Sequence, residues 1–186
     1  MKYEAIVIGV SSGGMQAMNA IFPLLPKDFK IPIIIVQHIG AHSDGEWIRI
    51  LDHKCNLHVK EADEKEIIEP GNIYIAPPNY HLLIEKNKTF SLTIDERVNF
   101  ARPAIDVLFE TAAEAYQKKL IGVILTGSNY DGTKGMGIIK EYDGLTIAQD
   151  PATAAFPFMP ASAIAAMQPD YILSLDDIVK LLIKIT

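Results

Sequence analysis

Cysteine is nearly absent from this chain. Its 186 residues contain one, Cys55, so no internal disulfide can form and no cysteine-rich zinc site can be assembled. Long apolar runs are also missing. Those present, such as Ile33 to Val36, are strand-sized, far short of the roughly 18 residues of a membrane span. Gly9 and the stretch Ser11 to Gly14 interrupt the first apolar segment, so it lacks the core of a signal peptide. Positive charge is in deficit: 17 Lys and Arg face 23 Asp and Glu, a net charge of −6. That balance argues against general affinity for nucleic acid or anionic lipid. The absences together lead us to expect a cytoplasmic protein with no membrane insertion and no nucleic-acid partner. No H-E-x-x-H or comparable spacing suggests a metal, and no cofactor is expected.

What is present is ordinary globular composition. Charged residues make up 22% and hydrophobic ones 49%, which excludes disordered and fibrous classes. The length fits a single domain, 1–186, with one sizeable core. Along the chain, strand, loop and helix alternate. Tyr3 to Ile8 is an apolar, β-branched run that Gly9 is expected to end. Met15, Met18, Ile21, Phe22 and Leu25 then recur at helical spacing. Ile31 to Val36 is continuous enough for a strand buried on both faces. Helical spacing returns at Trp47, Ile48 and Leu51. Asn72 to Ala76 reads as a strand, and Tyr80 to Ile84 with Thr89 to Ile94 as an antiparallel hairpin around Glu85 to Lys88.

Pro103 opens a strong helix from Ala104 to Gln117. The strand Leu120 to Leu125, a helix Gly135 to Tyr142, the strand Leu145 to Ala148, a helix Pro160 to Met167, the strand Tyr171 to Leu173 and a helix from Leu175 follow. The stretch Phe156 to Pro160 is too apolar for a linker and is expected to fold onto the body. The expected class is α/β: a doubly wound, mostly parallel sheet flanked by helices, with a small antiparallel hairpin.

Open parallel sheets bind ligands at the carboxyl ends of their strands. Three polar groups follow buried strands there: Ser11 and Ser12, then Gln37 and His38, then Thr126 to Asp131. The turn Gly9-Val10-Ser11-Ser12-Gly13 fits G-x-S-x-G between a strand and a helix, a pattern that exposes a nucleophilic serine. Backbone N–H groups at the following helix start suit an oxyanion. Serine in this setting also serves as a helix N-cap. His38 is a candidate general base for Ser11, or a structural histidine at a strand end. Asp131 is a candidate for orienting the imidazole, or a cap for the next helix. Their joint placement at one sheet edge favours a triad. His42 and His53 read as surface residues, and His58 and His81 as strand or hairpin residues.

At these residues the sequence resembles the catalytic domain of chemotaxis protein-glutamate methylesterases, the CheB type, over nearly its whole length. The marks are Ile8 to Gly14, Val36-Gln37-His38, Ala76 to Leu82, Phe100 to Phe109, Leu125-Thr126-Gly127 with Asp131-Gly132, and Thr146 to Asp150. The resemblance implies a serine hydrolase that removes methyl esters from glutamate side chains on the cytoplasmic helices of chemoreceptors and also deamidates certain receptor glutamines. It implies Ser11 as nucleophile, His38 as general base and acid, and Asp131 as the residue orienting His38. Ser12 and Ser128 are expected around the oxyanion. Arg102 is expected to meet an acidic receptor helix or the product carboxylate, or else to anchor a loop. Met159 is expected in the wall of the site, and Asp106 to be solvated or structural.

Two segments depart from the family. After His38 the family has a Met-Pro-Pro-Gly-Phe-type stretch where this chain has Ile39 to Gly45, which bears on receptor docking. Ser128-Asn129 stands where the family has Met-Gly, which bears on the tetrahedral intermediate. Because the nucleophile turn begins at residue 9, the expectation is a stand-alone esterase without the family's receiver domain, or one controlled by a separate regulatory protein. Two rivals stand beside this reading. One is a scaffold or binding module that kept the fold without the activity. The other is a nucleotide-binding domain, which the missing G-x-G-x-x-G fingerprint and the absence of an acidic residue ending the second strand disfavour.

Overall fold

A computed structural model of the chain describes residues 2–38 and 45–185. In chain order these form β1 (Ala5–Val10), α1 (Gly14–Ile21), β2 (Ile33–Gln37), α2 (Glu46–Lys54), β3 (His58–Glu61), β4 (Asn72–Ile75), β5 (His81–Ile84), β6 (Phe90–Thr93), α3 (Ile105–Tyr116), β7 (Leu120–Ile124), α4 (Thr133–Glu141), β8 (Leu145–Gln149), α5 (Phe158–Met167), β9 (Tyr171–Leu173) and α6 (Leu175–Ile185). Seven strands make one sheet in the order β3-β4-β2-β1-β7-β8-β9, and every neighbouring pair is parallel. β5 and β6 pair separately as the antiparallel hairpin.

The central strands carry unbroken apolar sequence because both of their faces are covered. Every residue of β1, β2 and β7 is buried. Ile6, Ile8 and Val10 join a core with α1, α2 and α6, while Ala5 and Val7 join one with α3, α4, α5 and the hairpin. Burial of each such isoleucine or valine side chain contributes roughly 1.5–3 kcal/mol.

The strand order reverses at β1. β2 lies on one side of it and β7 on the other, so the loops leaving β1 and β7 diverge and open a crevice at their carboxyl ends. Gly9 lies within β1 rather than ending it. It sits against α3, where an added Cβ would lie 2.4 Å from Ile105 Cγ2. A Cβ added at Gly132 would lie 2.6 Å from the same methyl, so two glycines leave room for Ile105 and bring the start of α3 onto the crevice.

β3 was not delimited from sequence, which read only His58 as a strand or hairpin residue. Only Val59 of its four residues is buried, and its other side chains are the charged and polar ones of a sheet edge. The stretch Phe156 to Pro160 does fold onto the body, through the buried side chains of Met159 and Pro160 and through the backbone of Phe156: Gly127 N–H donates to Phe156 O at 2.9 Å, and Phe156 N–H to Thr126 Oγ1 at 2.9 Å. The side chains of Phe156 and Phe158 remain exposed. The segment Ile39 to Asp44, including His42, lies outside the described residues. Among the described residues no helix is long and apolar enough to cross a membrane.

Candidate active site

Ser11 and His38 follow the adjacent strands β1 and β2 directly. His38 N–H donates to Val10 O at 3.1 Å and continues that ladder one step past the sheet. On its other side Ser11 N–H donates to Thr126 O at 3.0 Å, so the serine is held between β2 and the loop after β7. Gln37 locks the pair: its Nε2 donates to Ser11 O at 3.1 Å and to His38 O at 2.9 Å. Gly14 leaves room for this amide, since a Cβ there would stand 1.9 Å from Gln37 Oε1. Gly13 takes the left-handed conformation, φ +80°, that turns the chain from strand to helix.

The imidazole of His38 spans the crevice. Its Nδ1 is 3.2 Å from Ser11 Oγ and its Nε2 is 2.8 Å from Asp131 Oδ2. Asp131 has no solvent exposure, and five donors surround it. Oδ2 accepts from His38 Nε2 and from Ile105 N–H at 2.6 Å. Oδ1 accepts from Asp106 N–H at 3.1 Å, Gly132 N–H at 3.1 Å and Asn99 Nδ2 at 2.9 Å. Two of these donors open α3. Asp131 therefore caps α3, not the α4 that follows it in sequence. Asp106, in that first turn of α3, accepts Gly135 N–H of α4 at 2.8 Å. The two helices cap each other, and the Asn99 amide bridges both carboxylates, reaching Asp106 Oδ2 at 2.8 Å. Asp106 is thus buried and structural.

Electrostatics separate the two carboxyls. Burial pushes Asp131 up, but hydrogen bonds from His38, Asn99 and the Ile105 N–H, together with the nearby imidazole, outweigh it and hold the carboxyl below its ordinary value. Burial raises Asp106, and neighbouring Asp131 raises it further, against the Gly135 and Asn99 hydrogen bonds. An ionised Asp131 requires the proton of neutral His38 on Nε2. The Nδ1 lone pair then faces Ser11. The ring is used in the opposite sense to the common serine-protease arrangement, in which Nε2 faces the serine.

The CheB methylesterase family model matches residues 6–182. This chain belongs to that family. A Leptospira interrogans protein is 64% identical over 185 residues, which cover 100% of this chain and 96% of that protein. It bears the provisional name of protein-glutamate methylesterase/protein-glutamine glutaminase. The Thermotoga maritima protein-glutamate methylesterase/protein-glutamine glutaminase is 40% identical over 91% of this chain and 50% of its own length. The crystal structure of the T. maritima CheB methylesterase catalytic domain superimposes with a TM-score of 0.95, at 39% identity and with both chains fully covered.

In this CheB-family chain the crevice opens into a cleft of about 430 Å³, lined by Ser11, His38, Asn79, Arg97, Asn99, Arg102 and Asn129 among others. A larger depression of about 660 Å³ lies at the opposite, amino edge of the sheet, beside Tyr3, Lys119 and Leu145, away from the hydroxyl–imidazole–carboxylate chain. Ser12 and Ser128 meet each other, Oγ to Oγ at 2.9 Å, at the mouth of the two diverging loops. Arg102 lines the cleft and also anchors a loop: its Nη1 donates to Ile94 O at 2.6 Å and Asp95 O at 2.9 Å. Met159 is not a wall of the cleft. It is fully buried, packed so closely on Gly127 that a Cβ there would lie 2.7 Å from its sulfur, and it braces the loop after β7 from behind.

Sequence reasoning missed Asn99 and the contact of Asn129 with His38. Asn129 Nδ2 is 3.1 Å from His38 Nδ1, and its Oδ1 accepts Asp131 N–H at 3.0 Å. For Asn129 there was a signal, since it stands where the family has glycine. Asn99 offered none. Its role depends on a left-handed backbone, φ 51°, that aims the amide at two carboxylates distant in sequence.

Proposed function

We propose that this protein hydrolyses methyl esters of glutamate side chains on chemoreceptors, with Ser11 as nucleophile, His38 as general base and acid, and Asp131 as the group that orients His38. The observation that carries the reading is the hydrogen-bond chain from the Ser11 hydroxyl through both nitrogens of His38 to a buried, ionised Asp131. The family, and the names of its relatives in L. interrogans and T. maritima, support the substrate. The unbroken run of hydrogen bonds from Ser11 to Asp131 supports an enzyme over a scaffold.

The chemistry follows from the geometry. Ser11 Oγ attacks the γ-carbonyl carbon of the ester as its proton passes to His38 Nδ1. The first turn of α1 supplies positive backbone potential to the oxygen that gains charge. Collapse breaks the bond to the methoxy oxygen, which takes the proton from His38 Nδ1 and leaves as methanol. Water then gives a proton to His38 and attacks the acyl-serine. Ser11 leaves with that proton, and the free glutamate side chain is released. A glutamine side chain follows the same path with ammonia leaving. Asp131 stays ionised throughout and stabilises the imidazolium. Arg97 and Arg102 at the cleft supply positive charge that favours the carboxylate product and acidic flanking residues.

The test is methanol release from a methylated receptor. Wild type is expected to turn over, and folded Ser11→Ala and His38→Ala are expected to lose nearly all activity. Normal turnover by folded Ser11→Ala would eliminate the mechanism.

A further inference from the structure

The nitrogen that must take the serine proton has two suitors. His38 Nδ1 offers one in-plane lone pair. Ser11 Oγ lies 3.2 Å from it and Asn129 Nδ2 lies 3.1 Å from it. The orientation of the Asn129 amide is fixed by its other end, where Oδ1 accepts Asp131 N–H at 3.0 Å, so an N–H points at the imidazole. One lone pair accepts one well-aligned hydrogen.

We infer that Asn129 is a positioning residue that restrains the base: in the resting enzyme its amide competes with the Ser11 hydroxyl for the His38 lone pair. The inference rests on the proposed roles of Ser11 and His38. Its energetic sense is set by the proton transfer. Neutral His38 gains from the amide N–H, whereas His38 protonated on Nδ1 presents a second N–H to the same amide and the contact turns unfavourable. Asn129 therefore stabilises the ground state relative to the transition state, which slows the chemical step. A glycine at this position, as the family has, carries no such amide.

Two substitutions with opposite expectations separate this role from a structural one. Asn129→Ala removes the competing donor and is expected to raise kcat for methanol release roughly two- to tenfold, the range of one net hydrogen bond. Asn129→Asp is nearly isosteric and retains the acceptor for Asp131 N–H. It also places a second acceptor against Nδ1, which draws a proton there and removes the lone pair, so kcat is expected to fall at least tenfold. A merely structural Asn129 predicts the reverse order, with the isostere the milder change. Both variants are compared at matched thermal stability.

A second readout is independent of turnover. In the Ser11→Ala background the amide is the remaining donor of the two to Nδ1, so adding Asn129→Ala is expected to shift the Nδ1 ¹⁵N resonance of His38. A faster Asn129→Ala enzyme with a shifted resonance upholds the restraint. A slower Asn129→Ala enzyme, or an unmoved resonance, overturns it. Absence of turnover in wild type would instead remove the esterase reading, and the resonance would still decide whether the amide holds Nδ1.

Discussion

Replacing Asp131 by asparagine tests the site at its most constrained atom. The new amide has one acceptor oxygen where the carboxylate had two, and five donors converge on the position. Placing the NH2 at Oδ1 would set it against three donors, from Asp106, Gly132 and Asn99. Placing it at Oδ2 sets it against two, from His38 and Ile105, so the second orientation prevails. Two consequences follow. The Ile105 N–H, 2.6 Å from its present partner and buried, loses its acceptor, a cost of about 1–3 kcal/mol. For a chain of this size that lowers the melting temperature by roughly 2–12 °C. The NH2 now donates to His38 Nε2, so the imidazole proton moves to Nδ1 and the lone pair facing Ser11 is gone. The expected loss in kcat is on the order of 10⁴-fold, as in other triads whose carboxylate becomes an amide. Methanol release by the folded variant, with a melting curve on the same sample, measures both. Activity within tenfold of wild type, at any stability, would refute the reasoning.

Acid titration gives a further check. Asp131 has a folded value below the ordinary one, so its stabilisation is complete above an unfolded pKa of about 3.9 and is lost as pH falls through the lower folded value. In urea unfolding the lead of wild type over Asp131→Asn is expected to narrow below about pH 4, and a constant lead down to pH 2 would contradict this. Gly14→Ala, with a Cβ 1.9 Å from Gln37 Oε1, is expected to displace Gln37 from the carbonyls of Ser11 and His38. The expected cost is about 1–3 kcal/mol of stability together with a fall in kcat. Gly137→Ala, where an added Cβ meets nothing within 4 Å, is expected to leave kcat unchanged and to gain up to about 1 kcal/mol from helix propensity.

The parallel sheet was legible because its central strands advertise double-sided burial: Ile33 to Val36 has no polar break to mark a solvated face. The meeting of Ser11, His38 and Asp131 was legible for a topological reason. Each follows a buried strand, and parallel strands end on the same side. What remained hidden depends on packing between elements that no local pattern encodes. Gly9 reads as a strand terminator, yet it is a contact point for Ile105. Asp131 reads as a cap for the helix it precedes, yet its oxygens reach the start of α3. Met159 reads as a pocket wall from its apolar surroundings, but the missing side chain of Gly127 draws it inward. Asn99 and Asn129 act through side-chain amides placed by loop geometry, which has no periodicity to detect.

The exchange of acidic caps between α3 and α4 ties reactivity to structural integrity. The group that steers the imidazole is itself the fastening for a buried helix, so fraying of that corner disarms the enzyme before the sheet gives way. On warming, turnover should fail no later than the fold does, and every later rearrangement at this edge must keep both helix starts seated.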